Sequence, residues 1–471
     1  MKIRLIEPEP PGMHVWAKVL LPRLGLPIIA AALKEHGHDV LVYNPTMAPI
    51  DWDDVNSSEL VGISSTTSTA SIAYEFADDL RGRGIPVVIG GSHVTFMADE
   101  ALEHVDYVAR GEGGEQLMLE LLEALAGDRE LDTIAGLSFA RDGVAVHNPP
   151  REALADLDEL PFPDLRLLVG SDKLTTMPIM TSWGCPFDCT FCSVTAMFGK
   201  KYRFRSAESV VAELKDKRPQ RIFFYDDNMA ANRKRLKRLL QMMIDEDLVI
   251  PWSAQVRTDV VKDPELLDLM RRSGCQLVYL GLESVNQETL DEYEKSQTVA
   301  DIERAIKILH DYGIKSHGMF VLGADHDDVQ TVRDTVSFAI KNKIDTVMLN
   351  ILTPLPGTLQ YQEFDESGRI FDKRWELYDA HHAVFEPARM TPYELQIEVL
   401  RGYMRFYSLR TWLRYIFTFQ FTKQLLFHGW GMVIIRNWRR DARNQAFIKA
   451  LKRKWPRPTP RGVVRRAAGA D

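Results

Sequence analysis

The feature that most restricts this chain is a sixfold alternation between positions 177 and 352. Apolar runs at 177–182, 222–225, 252–256, 277–282, 315–322 and 346–352 are separated by stretches of helical periodicity at 206–217, 233–247, 264–273, 299–312 and 329–341. Ser206 reads as the N-cap of the first of these helices, with Glu208 and Ser209 in its first turn. Strand and helix signals that alternate in this way predict parallel strands with crossover helices. Six units close into a barrel or three-quarter barrel whose chemistry lies at the C-terminal strand ends.

A second alternation precedes the first. Runs at 3–6, 40–43, 60–64, 86–90 and 107–108, with helical patterns at 26–36, 71–83 and 115–126, predict a doubly wound parallel sheet. Its ligand crevice is expected at the strand ends, at 7–12, 64–69, 90–96 and 110–115. These segments are rich in Gly, Ser and Thr, which let backbone and hydroxyls approach a bulky ligand. The runs 134–139 and 144–147 around Asp142-Gly143 read as a hairpin. Prolines between 148 and 163 then mark an extended linker. The expected organisation is α/β throughout: a flavodoxin- or Rossmann-like domain over 1–150, a linker over 151–176, a partial (β/α)6 barrel over 177–390, and a helical extension over 391–471.

Three of the four cysteines fall in TSWGCPFDCTFC, residues 181–192, spaced Cys185-x3-Cys189-x2-Cys192. Soft thiolates this close suit an iron-sulfur cluster or zinc. A closed zinc site needs a fourth ligand, and Cys275 lies 83 positions beyond Cys192 in an apolar context, where a buried structural thiol is the better reading. Unpaired, clustered cysteines also point to a reducing compartment. Polar residues recur where the barrel strands end: Asp226, Asp227 and Asn228; Gln255 and Arg257; Glu283 and Ser284; Asn350.

The cysteine spacing resembles that of the radical S-adenosylmethionine (SAM) enzymes, and the strand-end elements follow in that family's order over 177–360. VGISSTTST, VVIGGSHVTF and DYVARGEGGE resemble the cobalamin (B12)-binding domain attached to many of them, in the subgroup of methylases and anaerobic cyclases. The resemblance implies a 4Fe-4S cluster on Cys185, Cys189 and Cys192. It implies SAM against Asp226, Asp227, Asn228, Gln255, Arg257, Glu283, Ser284 and Asn350, with Arg257 toward the methionine carboxylate or a substrate anion. It implies cobalamin against Ser64, Ser65, Thr66, Gly90, Gly91, Gly111 and Glu112. The Asp-x-His-x-x-Gly element that supplies a lower cobalt ligand is missing; His14 has Gly12, not Asp, two residues before it. No axial ligand is therefore named, and a domain that only shapes the substrate pocket is the other reading. His36, His38 and His93 read as loop or surface residues. The family's Gly-x-Pro-Gly-Glu ending is altered to Gly323-Ala324-Asp325-His326-Asp327, whereas Pro354-Leu355-Pro356-Gly357-Thr358 follows its subgroup.

The implied activity is one-electron cleavage of SAM to a 5'-deoxyadenosyl radical that attacks an unactivated carbon. Methyl transfer is the favoured outcome, with cyclisation, carbon-carbon coupling or oxidation as alternatives. The expected electron donor is of the flavodoxin or ferredoxin kind. A redox or sensor protein without catalysis is the reading from another class.

The end of the chain differs in charge. Residues 401–471 hold 17 Lys/Arg against 2 Asp/Glu, a balance of +15 in a chain whose total is −8, so the first 400 residues carry −23. Aromatics are interleaved with the arginines, among them Trp412, Tyr415, Phe417, Phe419, Phe421, Phe427, Trp430 and Trp438. Two readings stand. One is an amphipathic segment lying on anionic lipid, which favours a lipid or isoprenoid substrate; the other is a helical cap packed on the barrel. Residues 456–471 read as disordered. No signal peptide and no apolar run long enough to cross a bilayer are apparent, so a cytoplasmic enzyme, peripheral to the inner face of the membrane in the first reading, is expected. No nucleic-acid module is recognisable.

Overall fold

The computed structural model describes residues 1–12, 20–413 and 421–456, with the backbone alone for 421–427. His14, Tyr415, Phe417, Phe419, the side chains of Phe421 and Phe427, and residues 457–471 lie outside the described residues.

The N-terminal sheet contains β1 (Lys2–Ile6), β2 (Asp39–Tyr43), β3 (Leu60–Ser64), β4 (Val87–Gly90), β5 (Tyr107–Ala109), β6 (Leu137–Arg141) and β7 (Val144–His147), ordered β2-β1-β3-β4-β5-β6-β7. The first five are parallel; β6 and β7 form the expected hairpin, which extends the sheet antiparallel to β5. Successive side chains on a strand point to opposite faces. Leu5 accordingly packs into one core with the helices Gly25–Glu35 and Gly114–Ala126, and Ile6 into another with the helix Ala70–Gly82. This is the doubly wound arrangement.

The second sheet contains β8 (Met177–Ile179), β11 (Ile222–Phe224), β12 (Trp252–Val256), β13 (Cys275–Glu283), β14 (Lys315–Leu322) and β15 (Thr346–Ile351), all parallel, in the order β15-β14-β13-β12-β11-β8. With β8 and β15 at its edges it is a partial barrel of six strands. The expected first strand over 177–182 divides in two. After β8, β9 (Ser182–Trp183) pairs antiparallel with β10 (Arg203–Phe204), so this ribbon closes the base of the cysteine loop. Ser206 caps the following helix as expected, accepting from Ser209 N at 3.1 Å. The helix Pro264–Ser273 ends at Gly274, φ +105°, where a Cβ would stand 2.4 Å from Ile250 O; only glycine fits this stop.

The segment 151–176 is not a free linker. Leu157, Leu160, Leu165, Leu167 and Leu168 are buried in the core of the first sheet, where two short 3₁₀ turns, Leu157–Glu159 and Leu165–Leu167, bring them. The extension is likewise attached. Phe447 and Leu451 of its helix Ala442–Lys454 enter the other core of that sheet, beside Trp375, Leu377 and Tyr378 from the segment before the extension. Each such burial contributes about 2 kcal/mol. Ile435 and Trp438 pack on the barrel core. This half of the extension is therefore the packed cap of the two readings. Among the described residues no helix is long and apolar enough to cross a membrane.

Candidate functional site

The C-terminal ends of the two parallel sheets face one another across a cavity of about 370 Å³. Its first wall is the crevice foreseen at the ends of β3, β4 and β5, with Ser64, Gly90, Gly91, Gly111 and Glu112 lining it. The opposite wall is Ser182, Trp183, Met197, Phe198, Tyr225 and Asp227, from the cysteine loop and the end of β11. An arm runs between the sheet and its helices, past Leu5, Ile28, Val88, Leu117 and Met118. At Gly111, φ +78°, a Cβ would meet nothing within 4 Å, so bare backbone faces open space there. A wall of glycine and apolar side chains suits a large, flat, mostly apolar ligand.

Three residues expected in this crevice have partners within the protein. Ser65 is fully buried beneath Gly91, with Oγ on Thr66 O at 3.2 Å. Thr66 forms a capping box with Thr69. Both carboxylate oxygens of Glu112 accept from Arg203 of β10, at 2.6 Å each, with the two side chains 8% and 9% exposed. Glu112 thus joins the domains. His93 is not a surface residue: it is wholly buried, with Nε2 3.3 Å from Glu100 and its ring against Trp375.

The cysteine loop is held from several sides. At its root, Asp226 accepts from Thr181 N at 2.7 Å, Ser182 N at 3.0 Å and Thr181 Oγ1. Arg235 donates to Thr181 Oγ1 at 2.7 Å and Thr181 O at 3.1 Å. Asp226 is completely buried with both oxygens occupied, which removes it from the residues able to face a ligand. Farther along, the Arg257 guanidinium stands 3.7 Å from the Phe187 ring centroid, and Phe191 packs on Tyr293. Gln360 N donates to Thr190 O at 3.3 Å, tying the loop to the helix after the Pro-x-Pro-Gly-Thr turn. In that turn Gly357 lies against the ring of Phe96 from the first domain, 2.4 Å from where its Cβ would be.

Cys185, Cys189 and Cys192 are free and half-buried. Each feels the charge of a neighbouring cysteine or of the residues around the mouth: Cys185 that of Asp227, Lys295 and Arg257, and Cys189 that of Lys295, Glu283 and Arg257. Burial pushes their thiols up, Cys192 to about 11. Among the described residues no three His, Cys, Asp or Glu side chains converge as ligands of one metal ion. Thiolates that each bind a different iron of one cluster need not converge on a point.

Of the other strand-end residues, Asp227 lines the cavity and receives a backbone hydrogen bond from Gly184; burial, then the charge of Asp226, push its carboxyl up to about 6. Asn228 is buried, and its Oδ1 has no hydrogen-bond partner. Gln255 lies opposite Tyr279, and Asn350 opposite Val321, at half-buried positions. Ser284 is buried, and its Oγ accepts from Asn286 N at 3.0 Å, making the turn after β13. Glu283 is paired at 2.7 Å with Lys295. Neither Lys295 nor Arg203 was foreseen. Arg203 carries a weak signal, a cation within the aromatic YRFR after the cysteines; Lys295 sits in an unpatterned loop.

The chain matches the radical SAM superfamily over residues 179–339 and the B12 binding domain over 16–119. It is 31% identical over 405 residues to an uncharacterized methyltransferase of Pyrococcus horikoshii, covering 82% of this chain and 88% of that one. It is 32% identical over 390 residues to the bacteriochlorophyllide d C-8(2)-methyltransferase of Chlorobaculum tepidum, covering 79% and 81%. It is 30% identical over 423 residues to the anaerobic magnesium-protoporphyrin IX monomethyl ester cyclase of Rubrivivax gelatinosus, covering 83% and 74%. Among solved structures its fold is that of the cobalamin-dependent S-adenosylmethionine radical enzyme OxsB (TM-score 0.71, 15% identity, 96% of this chain and 75% of that one). It is also that of the radical S-adenosylmethionine methyltransferase TsrM from Kitasatospora setae (TM-score 0.63, 20% identity, 78% and 75%).

A partial barrel with clustered thiols at its mouth, facing a B12-binding sheet, is the architecture of an enzyme that works with a 4Fe-4S cluster, SAM and cobalamin. This chain belongs to the radical SAM superfamily, in the cobalamin-dependent group whose members here include methyltransferases and anaerobic cyclases.

Proposed function

We propose that the enzyme methylates an unactivated carbon of a large, mostly apolar substrate held between the two domains. The observation that carries this reading is the single cavity that joins the B12-binding crevice at Gly90 and Gly111 to the barrel mouth at Asp227 and Ser182. A substrate there touches both halves, as transfer between them requires. Methyltransferases among the relatives, two of them at 31% and 32% identity, favour this outcome over the ring closure of the cyclase at 30%.

Cys185, Cys189 and Cys192 are the thiolates that hold the cluster, on a loop fixed at its root by Asp226 and Arg235. Asp227 and the unpartnered Oδ1 of Asn228 present acceptors for the amino group of SAM. Arg257 presents a bidentate donor for its carboxylate, and Glu283 an acceptor for ribose hydroxyls; Gln255, Ser284 and Asn350 complete the mouth. Ser64, Gly90, Gly91 and Gly111 hold cobalamin by backbone and hydroxyl contacts. When bound, these cofactors supply one-electron cleavage of SAM, hydrogen-atom abstraction and carriage of a methyl group. The side chains bind, orient and exclude water. The electron comes from a flavodoxin- or ferredoxin-like donor.

The extension adds a membrane contact to this reading. Leu409, Leu413, Trp430, Met432 and Val433 are exposed, Leu409 at 61%, beside Arg405, Arg410 and Arg436. Apolar side chains rimmed by arginine match the interface of an anionic bilayer, the natural source of a lipid or isoprenoid substrate.

The test is anaerobic turnover of cluster- and cobalamin-loaded enzyme with SAM carrying a deuterated methyl group, on lipid extracts of the producing cells. A product gaining the labelled methyl is expected. Formation of 5'-deoxyadenosine with a product that gains no carbon would replace methylation by cyclisation or oxidation. Vesicle flotation of Leu409→Glu/Val433→Glu beside the parent addresses the membrane. Equal flotation of both proteins sinks that contact.

A further inference from the structure

We infer that Phe96 is a positioning residue of the cluster loop: through its contact with Gly357 it passes occupation of the glycine-walled crevice on to the turn between Cys189 and Cys192; this rests on the cobalamin site proposed above. At the crevice the link starts with Thr95, whose Oγ1 donates to Gly91 O at 2.9 Å and accepts from Gly111 N at 3.0 Å. One hydroxyl thus joins two glycines that line the cavity, one after β4 and one after β5. Gly91 also stands at the N-cap of the short helix Ser92–Phe96. A ligand resting on both glycines therefore bears on this helix. The helix is itself held, because His93 is wholly buried between Glu100 and the ring of Trp375.

Phe96 ends that helix without lining the cavity, and its ring lies on Gly357 of the Pro-x-Pro-Gly-Thr turn. Gly357 has φ +86°, and a Cβ there would overlap Cγ, Cδ1 and Cδ2 of Phe96, so the turn accepts the ring only as glycine. The next residue, Thr358, closes the turn with Oγ1 on Leu355 O at 2.7 Å and caps the helix Leu359–Glu366, accepting from Tyr361 N at 3.1 Å. Gln360 N is one of the first-turn donors that such a helix leaves without an internal partner. It donates to Thr190 O at 3.3 Å, and Thr190 lies in the turn that Cys192 N closes on Cys189 O at 3.0 Å. The carbonyl between the two cysteines is thus set, through Phe96, from the first domain.

Close-packed contacts and short hydrogen-bonded turns carry a displacement because they leave no slack. The other tie between the domains, Glu112 to Arg203, reaches the opposite end of the cysteine loop, where β10 pairs with β9. The loop is therefore held at both ends, and a change at Phe96 releases only the end that carries Cys189 and Cys192. Coupling of this kind is reciprocal: what filling the crevice does to the loop, loading the loop does to the crevice.

The test is anaerobic amide hydrogen exchange, read by mass spectrometry, on the full-length cluster-loaded enzyme with and without hydroxocobalamin. In the parent, hydroxocobalamin should slow exchange over 90–96 and 110–115, and should also slow the 358–362 peptide, which carries the Gln360 amide, about tenfold. Phe96→Ala should keep the first effect and lose the second, while the peptide over 202–205, on the Arg203 side, responds as in the parent. Phe96→Tyr, which keeps the ring, should restore the second effect. Affinity for hydroxocobalamin supplies the reciprocal reading: loading the cluster should tighten it about tenfold in the parent and in Phe96→Tyr, and leave it unchanged in Phe96→Ala. A parent whose crevice peptides slow while 358–362 does not, or a Phe96→Ala protein whose 358–362 peptide slows as in the parent, overturns the inference. Loss of the response over 202–205 as well would mean a general loosening and overturns it too. If Phe96→Ala does not load iron, equal affinity of the cluster-loaded and cluster-free parent does the same. Crevice peptides that do not respond in the parent would instead refute the placement of cobalamin there.

Discussion

The two crevices that share the cavity are built on the same principle and lined with opposite chemistry. Both lie where parallel strands end. The N-terminal one is walled by Gly90, Gly91, Gly111 and apolar side chains, so it recognises by shape and backbone. The barrel mouth is set by charged groups already tied to their surroundings, Glu283 to Lys295 and Arg257 to Lys295 O, with Asp226 buried at the loop root. Charges fixed in advance need no reorganisation when charge develops, whereas an apolar wall leaves its ligand free to present a reacting face. The division teaches that the first crevice should fail by filling and the second by loss of charge.

The largest effect expected from this contrast is at the cysteines. Cys189→Ala should bring 5'-deoxyadenosine formation to background while cobalamin, scored by its corrin absorbance, stays stoichiometric. Joint loss of iron and corrin would mean that the crevices are not separable. Next in size, Ser64→Trp places an indole in the cavity and should reduce retained cobalamin about tenfold, ~1.4 kcal/mol, with iron content unchanged. Retention of the corrin by this variant would move cobalamin elsewhere.

A third expectation concerns the pair that spans the contrast. Glu112→Ala leaves the nearly buried Arg203 without its carboxylate and should cost about 3 kcal/mol of stability in chemical unfolding. The milder Glu112→Gln should keep both cofactors but lower product formed per SAM cleaved, because Arg203 sets β10, and through it the cysteine loop, against the first domain. An unchanged ratio would leave the pair with a purely structural role.

How much of this was legible beforehand follows from what each residue's role depends on. The strands and helices were readable because their periodicity is local: the helix Val299–Asp311 lies where the pattern over 299–312 places it. The fold of both domains followed from that alternation. Strand-end position was readable too, and it brought Asp227, Arg257 and Glu283 around the cysteines. What sequence could not separate was Asp226 from Asp227. Both stand just past the end of β11, where no strand alternation assigns their sides, and only tertiary packing decides which carboxylate finds Thr181 and which faces the cavity. The tie of Glu112 to the second domain was hidden for a similar reason, since Arg203 lies 91 residues away. Prolines suggested an extended linker over 151–176, and five of its seven leucines, placed by short turns without periodicity, are part of the first core. Lys295 owes its place to a strained loop that no pattern announces.

The last effect is a titration that distinguishes the walls of the cavity, and it belongs to Asp227, which lines the cavity from the barrel side. Burial and Asp226 push its folded value up to about 6, from an ordinary 3.8. A carboxyl whose folded value is raised binds its proton more tightly in the native state. Its penalty is absent below about pH 4, grows as pH rises toward 6, and is constant above. In the cluster-free protein, wild-type stability should therefore fall relative to Asp227→Asn across that window, by on the order of 2 kcal/mol at pH 7. The measurement is denaturant unfolding of the two proteins at pH 4, 5, 6 and 7, reading only their difference, in which every carboxylate not coupled to Asp227 cancels and only its neighbour Asp226 adds to the signal. A difference that does not change with pH would mean that Asp227 is solvated like a surface residue. The mouth would then lose its claim to fixed charge at the one point where it meets the apolar crevice.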